Sequence, residues 1–469
     1  MYQLLIKNGK IVTPEDSYEA NLYVQNGKIA AITGCDICMD AERVYDATGK
    51  CVYAGFIDTH VHSRDGGATQ KEDFLHSTTS AACGGITTLL EMPNAVPAVA
   101  TVDNFYKQRE NLQSKAYIDY GMWGLCVGDL NNADLAGLNE EGVVGFKFFW
   151  GYAIRKDNFN LIYSPKSGDE NVIPPLEDGE VYRIFREVAK TGKELAIHAE
   201  NAPLIKSLSA ELKEEDFPNA YEALLAQRPI LAELSTTQQA IAFAKETGCH
   251  LHVLHVTAKA VVDAIREAQK EGVNVTAETC PHYLFLTNED YEKVGNMMKC
   301  YPPIRYKEDQ EALWQGLMDG TLDHVCSDHA PHTKKDKEGC LADIPAGMCG
   351  IENMVSLMAT AVNEGRITEN QLAAVLSENP ARHYGIYPQK GSLQVGTDAD
   401  ITIMDFEKKS IIEAEKLHSV SKVTPFDGFK VKGMPVATFL RGVLIAENGE
   451  PVLKGHMGTF LSAKRGKSV

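Results

Sequence analysis

The residues with the clearest chemical potential begin with a pair of histidines. The apolar run VYAGFI (52–57) is followed by His60 and His62, with one residue between them. Side chains two positions apart on a β-strand point to the same side, so these two imidazoles can bind one metal ion. Such a pair on its own is more often solvated or packed in a core. A metal centre is predicted only if further ligands join it.

Four more polar side chains stand at or near the ends of other short apolar segments. They are Lys147 in VGFKFFW, His198 in ELAIHAE, His255 in LHVLHVT and Asp328 in DHVCSDH. An unpaired ammonium is costly to bury in a segment as apolar as VGFKFFW, although a lysine there can also extend its amine to the surface. A capped core histidine and a helix N-cap are the ordinary alternatives for the others. Five strand ends that all conform by chance are improbable, so together these residues predict a metal centre. His252, three residues before His255, faces the opposite side of a strand and is interpreted as packing.

The segments that carry these residues alternate with helical stretches. The stretch 258–272 has apolar residues at helical spacing and ends at Gly272, as a helix C-terminus should. About eight such strand–helix units favour a (β/α)8 barrel, in which functional side chains gather at the carboxyl ends of the strands. No glycine-rich phosphate loop of the kind expected in a doubly wound sheet is found.

Both ends of the chain have a different texture, with short alternating strands. The Asn-Gly pairs at 8–9, 26–27 and 448–449 are typical of hairpin turns, and the first two suit type I′. The predicted fold class is therefore α/β, with a TIM barrel over 52–385 and a small β-sandwich domain formed from both termini, 1–51 plus 386–469.

Composition excludes several function classes. The 469 residues contain 46 Lys+Arg and 64 Asp+Glu, a formal net charge of −18, which disfavours nucleic acid and anionic membranes as partners. No apolar run approaches the ~18–20 residues of a membrane span, and the N-terminus does not resemble a signal peptide. The 11 cysteines are scattered, which favours a reduced, cytoplasmic protein. We interpret Cys35 and Cys38 as part of a loop and not as a functional pair.

A set of motifs resembles the cyclic amidohydrolases, the family of dihydroorotase, allantoinase, hydantoinase and dihydropyrimidinase. The motifs are GFIDTHVH, GGITTLLEMP, GFKFF, HAEN, LHVLHVT, CPHYL, PPIR, SDHAPH and NPAR…KGSLQVGTDADI, and the resemblance runs from about residue 4 to residue 450. It implies the same barrel and terminal β-sandwich, a binuclear zinc centre and a homodimer or homotetramer. The implied ligands are His60, His62 and Asp328 for the more buried ion, His198 and His255 for the other, and carbamylated Lys147 between them.

The chemistry of such a centre follows from its parts. Burial lowers the pKa of a lysine from ~10.4 towards the neutral amine that captures CO2, and the product is a carboxylate that two divalent ions can share. Two such ions activate a water and polarise a carbonyl. Asp328 is placed to take the proton of the attacking group and pass it to the leaving nitrogen. The predicted reaction is ring opening of a cyclic ureide or imide, or the reverse condensation.

Three residues match dihydroorotases, whose equivalents bind the carboxylate of the substrate. They are Arg64, Asn94 and His332, and an arginine beside an amide is sound chemistry for a carboxylate. The alternatives are a salt bridge from Arg64 to Asp65 or Glu72 and a loop-stabilising role for His332. On this basis we predict a ring that bears an anionic group, as in dihydroorotate or a carboxylated hydantoin.

Other positions match hydantoinases and dihydropyrimidinases instead. Tyr152 stands five residues after Lys147, the spacing of a tyrosine that donates to the oxyanion in those enzymes. The chain departs from them at Tyr301, where they have a serine, and at Ala346, where they have an asparagine. The loop 153–177 is long enough to be interpreted as a lid.

Three alternatives to the anionic ring stay open. The first is a neutral hydantoin or dihydropyrimidine, and the second is allantoin. The third is not an enzyme at all, because some relatives of dihydropyrimidinase keep the barrel, lose the metal ligands and act as assembly proteins. The six implied ligand positions are all occupied here by metal-binding residue types, which disfavours that last alternative.

Overall fold

The computed structural model describes residues 1–162 and 170–463. The strands are β1 (Tyr2–Val12), β2 (Ser17–Gln25), β3 (Lys28–Thr33), β4 (Ala41–Asp46), β5 (Cys51–Ala54), β6 (Phe56–Val61), β7 (Ile86–Glu91), β8 (Asp119–Met122), β9 (Gly124–Leu125), β10 (Phe146–Phe149), β11 (Ala153–Arg155), β12 (Leu161–Ile162), β13 (Val172–Ile173), β14 (Glu194–His198), β15 (His250–Val253), β16 (Val275–Thr279), β17 (His324–Val325), β18 (Ile401–Ile411), β19 (Lys430–Leu440), β20 (Val443–Glu447) and β21 (Glu450–Pro451). The helices are α1 (Phe74–Cys83), α2 (Val102–Gln113), α3 (Leu135–Glu141), α4 (Asp178–Thr191), α5 (Ala202–Glu211), α6 (Ala220–Gln227), α7 (Ile230–Thr247), α8 (Lys259–Lys270), α9 (Pro281–Phe285), α10 (Tyr291–Val294), α11 (Lys307–Asp319), α12 (Met354–Asn363), α13 (Glu369–Ala373) and α14 (Asn379–His383).

The parallel strands of the middle of the chain close into the predicted (β/α)8 barrel. Strands β6, β7 and β8 form one parallel group, and β9, β10, β14, β15, β16 and β17 form another. Only Trp123 separates β8 from β9, so these two count as one of the eight strands. Val144 N, just before β10, donates to Met122 O of β8 at 2.9 Å, which joins the two groups, and His62 N donates to His329 O at 2.8 Å, which closes the ring. Every residue of β6 and β7 is buried. Helix α8 packs its apolar side chains inward and ends before Gly272, whose φ is +79°.

The terminal sheet combines strands from both ends of the chain. Its order is β21-β20-β19-β18-β5-β1-β2-β3, with β4 paired to β1. The Asn-Gly pairs at 26–27 and 448–449 form turns with positive φ at both residues, between β2 and β3 and between β20 and β21. The predicted turn at 8–9 is wrong. Asn8 has a φ of 57° but lies inside β1, at a shift in the β1–β2 register, because its N donates to Asn21 Oδ1 at 2.9 Å and the strand continues past it.

The segment predicted as the first barrel strand, VYAGFID (52–58), divides between the two parts of the fold. Strand β5 pairs with β1 and β18 in the terminal sheet, whereas β6 pairs with β7 in the barrel. Gly55 lies between the two strands. A larger residue would not fit at this position, because a Cβ there would lie 2.1 Å from Thr87 Oγ1. The domain boundaries, 1–51 plus 386–469 and 52–385, stay a prediction.

A buried charge cluster joins the terminal sheet to the barrel. Lys390 Nζ lies 2.5 Å from Asp119 Oδ2 at the start of β8, 2.5 Å from Asp400 Oδ2 and 3.0 Å from Asp398 Oδ2. Arg441 also donates to Asp119. Each of these carboxylates therefore has a cation, as buried charges require.

The loop predicted as a lid, 153–177, contains structure of its own. Strand β11 pairs in antiparallel fashion with β12 and with β13. Residues 163–169 lie outside the described residues, so the lid stays a prediction. The cysteines are all free, and Cys35 and Cys38 are exposed. Among the helices described here, none is long and apolar enough to cross a membrane.

Candidate metal centre and active site

Most of the predicted site residues line one cavity at the carboxyl ends of the barrel strands. These residues are His60, His62, Arg64, Lys147, Tyr152, His198, His255 and Asp328. The rest of the wall is formed by Phe149, Cys300, Tyr301, Ala330, Ala346 and Gly347. The parallel strands explain this convergence, because their carboxyl ends meet at one rim.

The first group of candidate ligands contains two imidazoles and a carboxylate. Asp328 Oδ1 lies 3.3 Å from His60 Nε2 and 3.6 Å from His62 Nε2. The Nδ1 atom of His62 lies 2.8 Å from Asn94 Oδ1, so the proton sits on Nδ1 and the lone pair of Nε2 points into the cavity. Burial lowers the pKa of His62 well below its usual value. This group can hold a divalent ion.

The second group contains His198, the last residue of β14, and His255, which follows β15. His198 Nδ1 lies 3.1 Å from His255 Nε2. On its other side, His198 Nε2 lies 3.0 Å from Glu200 Oε2, which leaves Nδ1 unprotonated and facing His255. Burial lowers the pKa of both imidazoles, and two facing neutral nitrogens can share a cation.

Lys147 lies on β10 with only 1% of its surface exposed. Burial lowers the pKa of its amine from 10.5 to about 7. Its Nζ lies 4.6 Å from the centroid of the Phe149 ring, and within the described ranges it forms no ion pair. A buried, partly neutral amine beside four imidazoles and Asp328 fits a binuclear centre with a carbamylated lysine, because CO2 capture requires the neutral amine.

Tyr152 and Arg64 lie on the wall of the same cavity. The Tyr152 hydroxyl is 3.2 Å from His198 Nε2. Arg64 Nε donates to Pro331 O at 3.3 Å, and none of the described carboxylates pairs with it. The alternative salt bridges are not formed, because Asp65 pairs with Lys115 at 2.8 Å and Glu72 accepts from the Ser419 hydroxyl.

Asn94 and His332 do not line the cavity. Asn94 contacts His62, as described above. His332 Nε2 donates to Ala346 O at 3.0 Å, and Lys71 Nζ donates to His332 Nδ1 at 3.0 Å. Both side chains are therefore engaged with the protein, and substrate binding by them stays a prediction.

Sequence reasoning missed the carboxylates behind the imidazoles. Glu278 Oε1 lies 2.7 Å from His60 Nδ1, and Glu200 contacts His198. Glu200 is two residues from His198, a spacing that could have revealed it. Arg228, which donates to Glu200 Oε2 at 2.5 Å, has no such local signal.

Comparison with known proteins agrees with this geometry. The model of the amidohydrolase family matches residues 51–445. An L-hydantoinase of Paenarthrobacter aurescens is 35% identical over 471 residues, covering 99% of each chain. An allantoinase of Enterococcus faecalis is 36% identical over 474 residues, covering 98% of this chain and 99% of its own.

Solved structures are similar as well. The L-hydantoinase (dihydropyrimidinase) of Arthrobacter aurescens has a TM-score of 0.91 at 35% identity, covering 98% of this chain and 100% of its own. A D-hydantoinase has a TM-score of 0.87 at 32% identity, covering 100% of this chain and 99% of its own. The predicted fold class is confirmed, and so is the prediction of a hydrolase that acts on carbon–nitrogen bonds in cyclic amides. With its barrel, its convergent imidazoles and a match over most of its length, the chain belongs to the amidohydrolase family.

Proposed function

We propose that the chain hydrolyses the ring amide bond of a neutral five-membered cyclic ureide, a hydantoin or allantoin. The names of its relatives support this alternative better than the predicted ring with a carboxylate. The main structural support for a neutral ring is that two of the three residues predicted to bind a carboxylate are hydrogen-bonded to protein groups. Asn94 is engaged by His62 and His332 by Ala346 and Lys71, so only Arg64 of the three faces the cavity. A dihydropyrimidine is the second candidate, because the similar solved structure from Arthrobacter aurescens is named both L-hydantoinase and dihydropyrimidinase.

The proposal includes two zinc ions. His60, His62 and Asp328 would hold one, His198 and His255 the other, and carbamylated Lys147 would serve both. When bound, the ions polarise the ring carbonyl and make a water acidic enough to attack it.

The residues of the chain handle the proton and the charge. Asp328 accepts a proton from the attacking water and delivers it to the ring nitrogen as the C–N bond breaks. Burial raises the pKa of Asp328, which suits a carboxylate that must carry this proton. The Tyr152 hydroxyl donates to the carbonyl oxygen as it becomes an oxyanion. Arg64 faces the cavity and can donate to an oxygen of the bound ring or of its substituent. The product is an open ureido acid.

Turnover by the purified, zinc-loaded protein tests the proposal. The panel is hydantoin, 5-substituted and 5-carboxyalkyl hydantoins, allantoin, dihydrouracil and dihydroorotate. We expect kcat/KM for a hydantoin or allantoin to exceed that for either carboxylate-bearing ring by about tenfold or more. If a carboxylate-bearing ring is the best substrate, the proposal is wrong and the predicted ring with an anionic group is correct. No turnover, with fewer than about one zinc per chain, would indicate the metal-free assembly protein.

We also propose that the protein is a cytoplasmic homodimer or homotetramer. The scattered free cysteines support the compartment. Light scattering coupled to size-exclusion chromatography tests the assembly, and a monomeric mass contradicts it.

A further inference from the structure

A layer of polar side chains fills the barrel interior behind the candidate ligands. Glu278 on β16, His324 on β17 and His252 on β15 are all fully buried. Branched apolar side chains usually occupy this part of a (β/α)8 barrel. Buried polar groups cost free energy unless they are hydrogen-bonded, so the contacts of this layer decide what it does.

The contacts form a chain that ends at His60. Glu278 Oε1 lies 2.7 Å from His60 Nδ1, and Glu278 Oε2 lies 3.0 Å from His324 Nε2. His324 Nδ1 in turn lies 2.8 Å from Asp323 Oδ2. An imidazole with a carboxylate at each nitrogen donates from both, so His324 is a cation placed between two carboxylates. The Thr59 hydroxyl also donates to Glu278 Oε2, at 3.0 Å.

We propose that Glu278 is a positioning residue for the metal centre, and that His324 holds its carboxylate in place. Glu278 accepts the Nδ1 proton of His60 and thereby fixes the lone pair of Nε2 in the cavity. The inference rests on the proposed function only in requiring that the cavity bind a divalent ion. Glu278 and His324 are direct register partners on β16 and β17, so the backbone of the barrel fixes the pair.

The two histidines of the first ligand group are supported unequally. His62 has a neutral amide oxygen at Nδ1, that of Asn94, whereas His60 has a carboxylate. A carboxylate behind a ligating imidazole makes it more basic and orients it, and loss of such a partner typically weakens metal binding 10- to 100-fold. Of these two, His60 is therefore the histidine whose metal binding depends more on the residue behind it. His252, whose Nδ1 lies 2.8 Å from Thr276 Oγ1, contacts Glu278 only at 3.5 Å.

Glu278→Gln tests the role, because it gives His60 the kind of neutral partner that His62 already has. The control is Glu194→Gln, which changes another fully buried carboxylate, at the start of β14. Zinc-loaded wild type and both variants are dialysed against increasing chelator, and retained zinc is measured by mass spectrometry. The melting temperature Tm of each metal-free protein is measured in parallel.

We expect Glu278→Gln to release zinc at about 10- to 100-fold lower chelator concentration than wild type, whereas Glu194→Gln releases it as wild type does. The metal-free Tm of Glu278→Gln should not fall below that of Glu194→Gln. Retention equal to wild type, equal loss in both variants, or a wild type that binds no divalent ion would overturn the inference. If Glu278→Gln does not fold, Glu278→Asp replaces it. This variant is expected to lose zinc more easily than wild type, and zinc retention equal to that of wild type would contradict the inference. Substrate is not used, so absence of turnover contradicts only the proposed function.

Discussion

The guanidinium of Arg228 lies over the ring of Tyr301, with its Cζ 3.4 Å from the ring centroid. The same guanidinium donates to Glu200 Oε2 at 2.5 Å, and Glu200 contacts His198. One cation thus connects the cavity wall to a candidate metal ligand. This contact places the Tyr301 ring, which lines the cavity, directly against the cation that pairs with Glu200.

Removal of Arg228 should destabilise the protein strongly. Glu200 is almost fully buried, and Arg228→Leu would leave its carboxylate without a cation, at an expected cost of about 3–5 kcal/mol in the free energy of unfolding. Arg183→Leu is the control, because its pair with Asp129 is exposed and should contribute little to stability. Denaturant unfolding of the metal-free proteins measures both. Equal losses in the two variants would contradict a structural role for the buried pair.

Tyr152→Phe should lower kcat with little change in KM. The hydroxyl is assigned to the oxyanion, which exists only after attack, and removal of such a donor typically lowers kcat about 10²–10³-fold. Steady-state kinetics on the best ring substrate provides the measurement. Tyr301→Phe keeps an aromatic ring at the neighbouring position of the wall and should retain kcat near the wild-type value. A rise in KM of about tenfold with unchanged kcat would mean that the hydroxyl binds substrate and transition state equally. Tyr152 would then be assigned to substrate binding instead.

Lys147→Ala should lose zinc and activity together. A carboxylate made from the Lys147 amine is the proposed shared ligand, so a short carboxylic acid added to the variant should restore part of both. Zinc per chain and turnover are measured with and without acetate or propionate. Lys193→Ala, which removes another buried lysine, should keep its zinc. Full zinc content in Lys147→Ala would rule out the shared carbamate.

Lys337 should make stability depend on pH. Burial lowers its folded-state pKa from 10.5 to about 7, so the folded protein disfavours the ammonium. That penalty is complete below about pH 7 and is relieved as the pH rises towards the unfolded-state pKa near 10.4. Lys337→Met should therefore gain stability over wild type at pH 6 more than at pH 9, by on the order of 2 kcal/mol.

Denaturant unfolding at the two pH values measures this gain for Lys337→Met. The control is Lys335→Met, since Lys335 is exposed and should show no such difference. A pH-independent effect of Lys337→Met would mean that Lys337 stays charged in the folded state.

The parts of the site that could be predicted are those encoded by strand ends. His60, His62 and Asp328 follow apolar segments whose parallel arrangement brings their ends together. Arg228 and Glu278 could not be found in this way, because Arg228 supports Glu200 and Glu278 supports His60, and in each case the supported residue comes from a distant part of the chain. The Asn-Gly pair at 8–9 has the composition of a turn, but its pairing with β2 depends on Asn21, which local sequence does not show.

The pairing of β5 with both β1 and β18 has a consequence for synthesis on the ribosome. The central pair of the terminal sheet requires residues 51–54 and 401–404, so the first strands emerge long before their partner. At about 5–20 residues per second, the intervening chain takes on the order of tens of seconds to translate. During that time the β5 edge facing β18 is open, and the apolar residues Leu4, Ile11 and Leu22, buried in the finished fold, lack the cover of the C-terminal strands. A chain arrested before residue 401 therefore exposes apolar side chains and an unpaired strand edge at its N-terminal end.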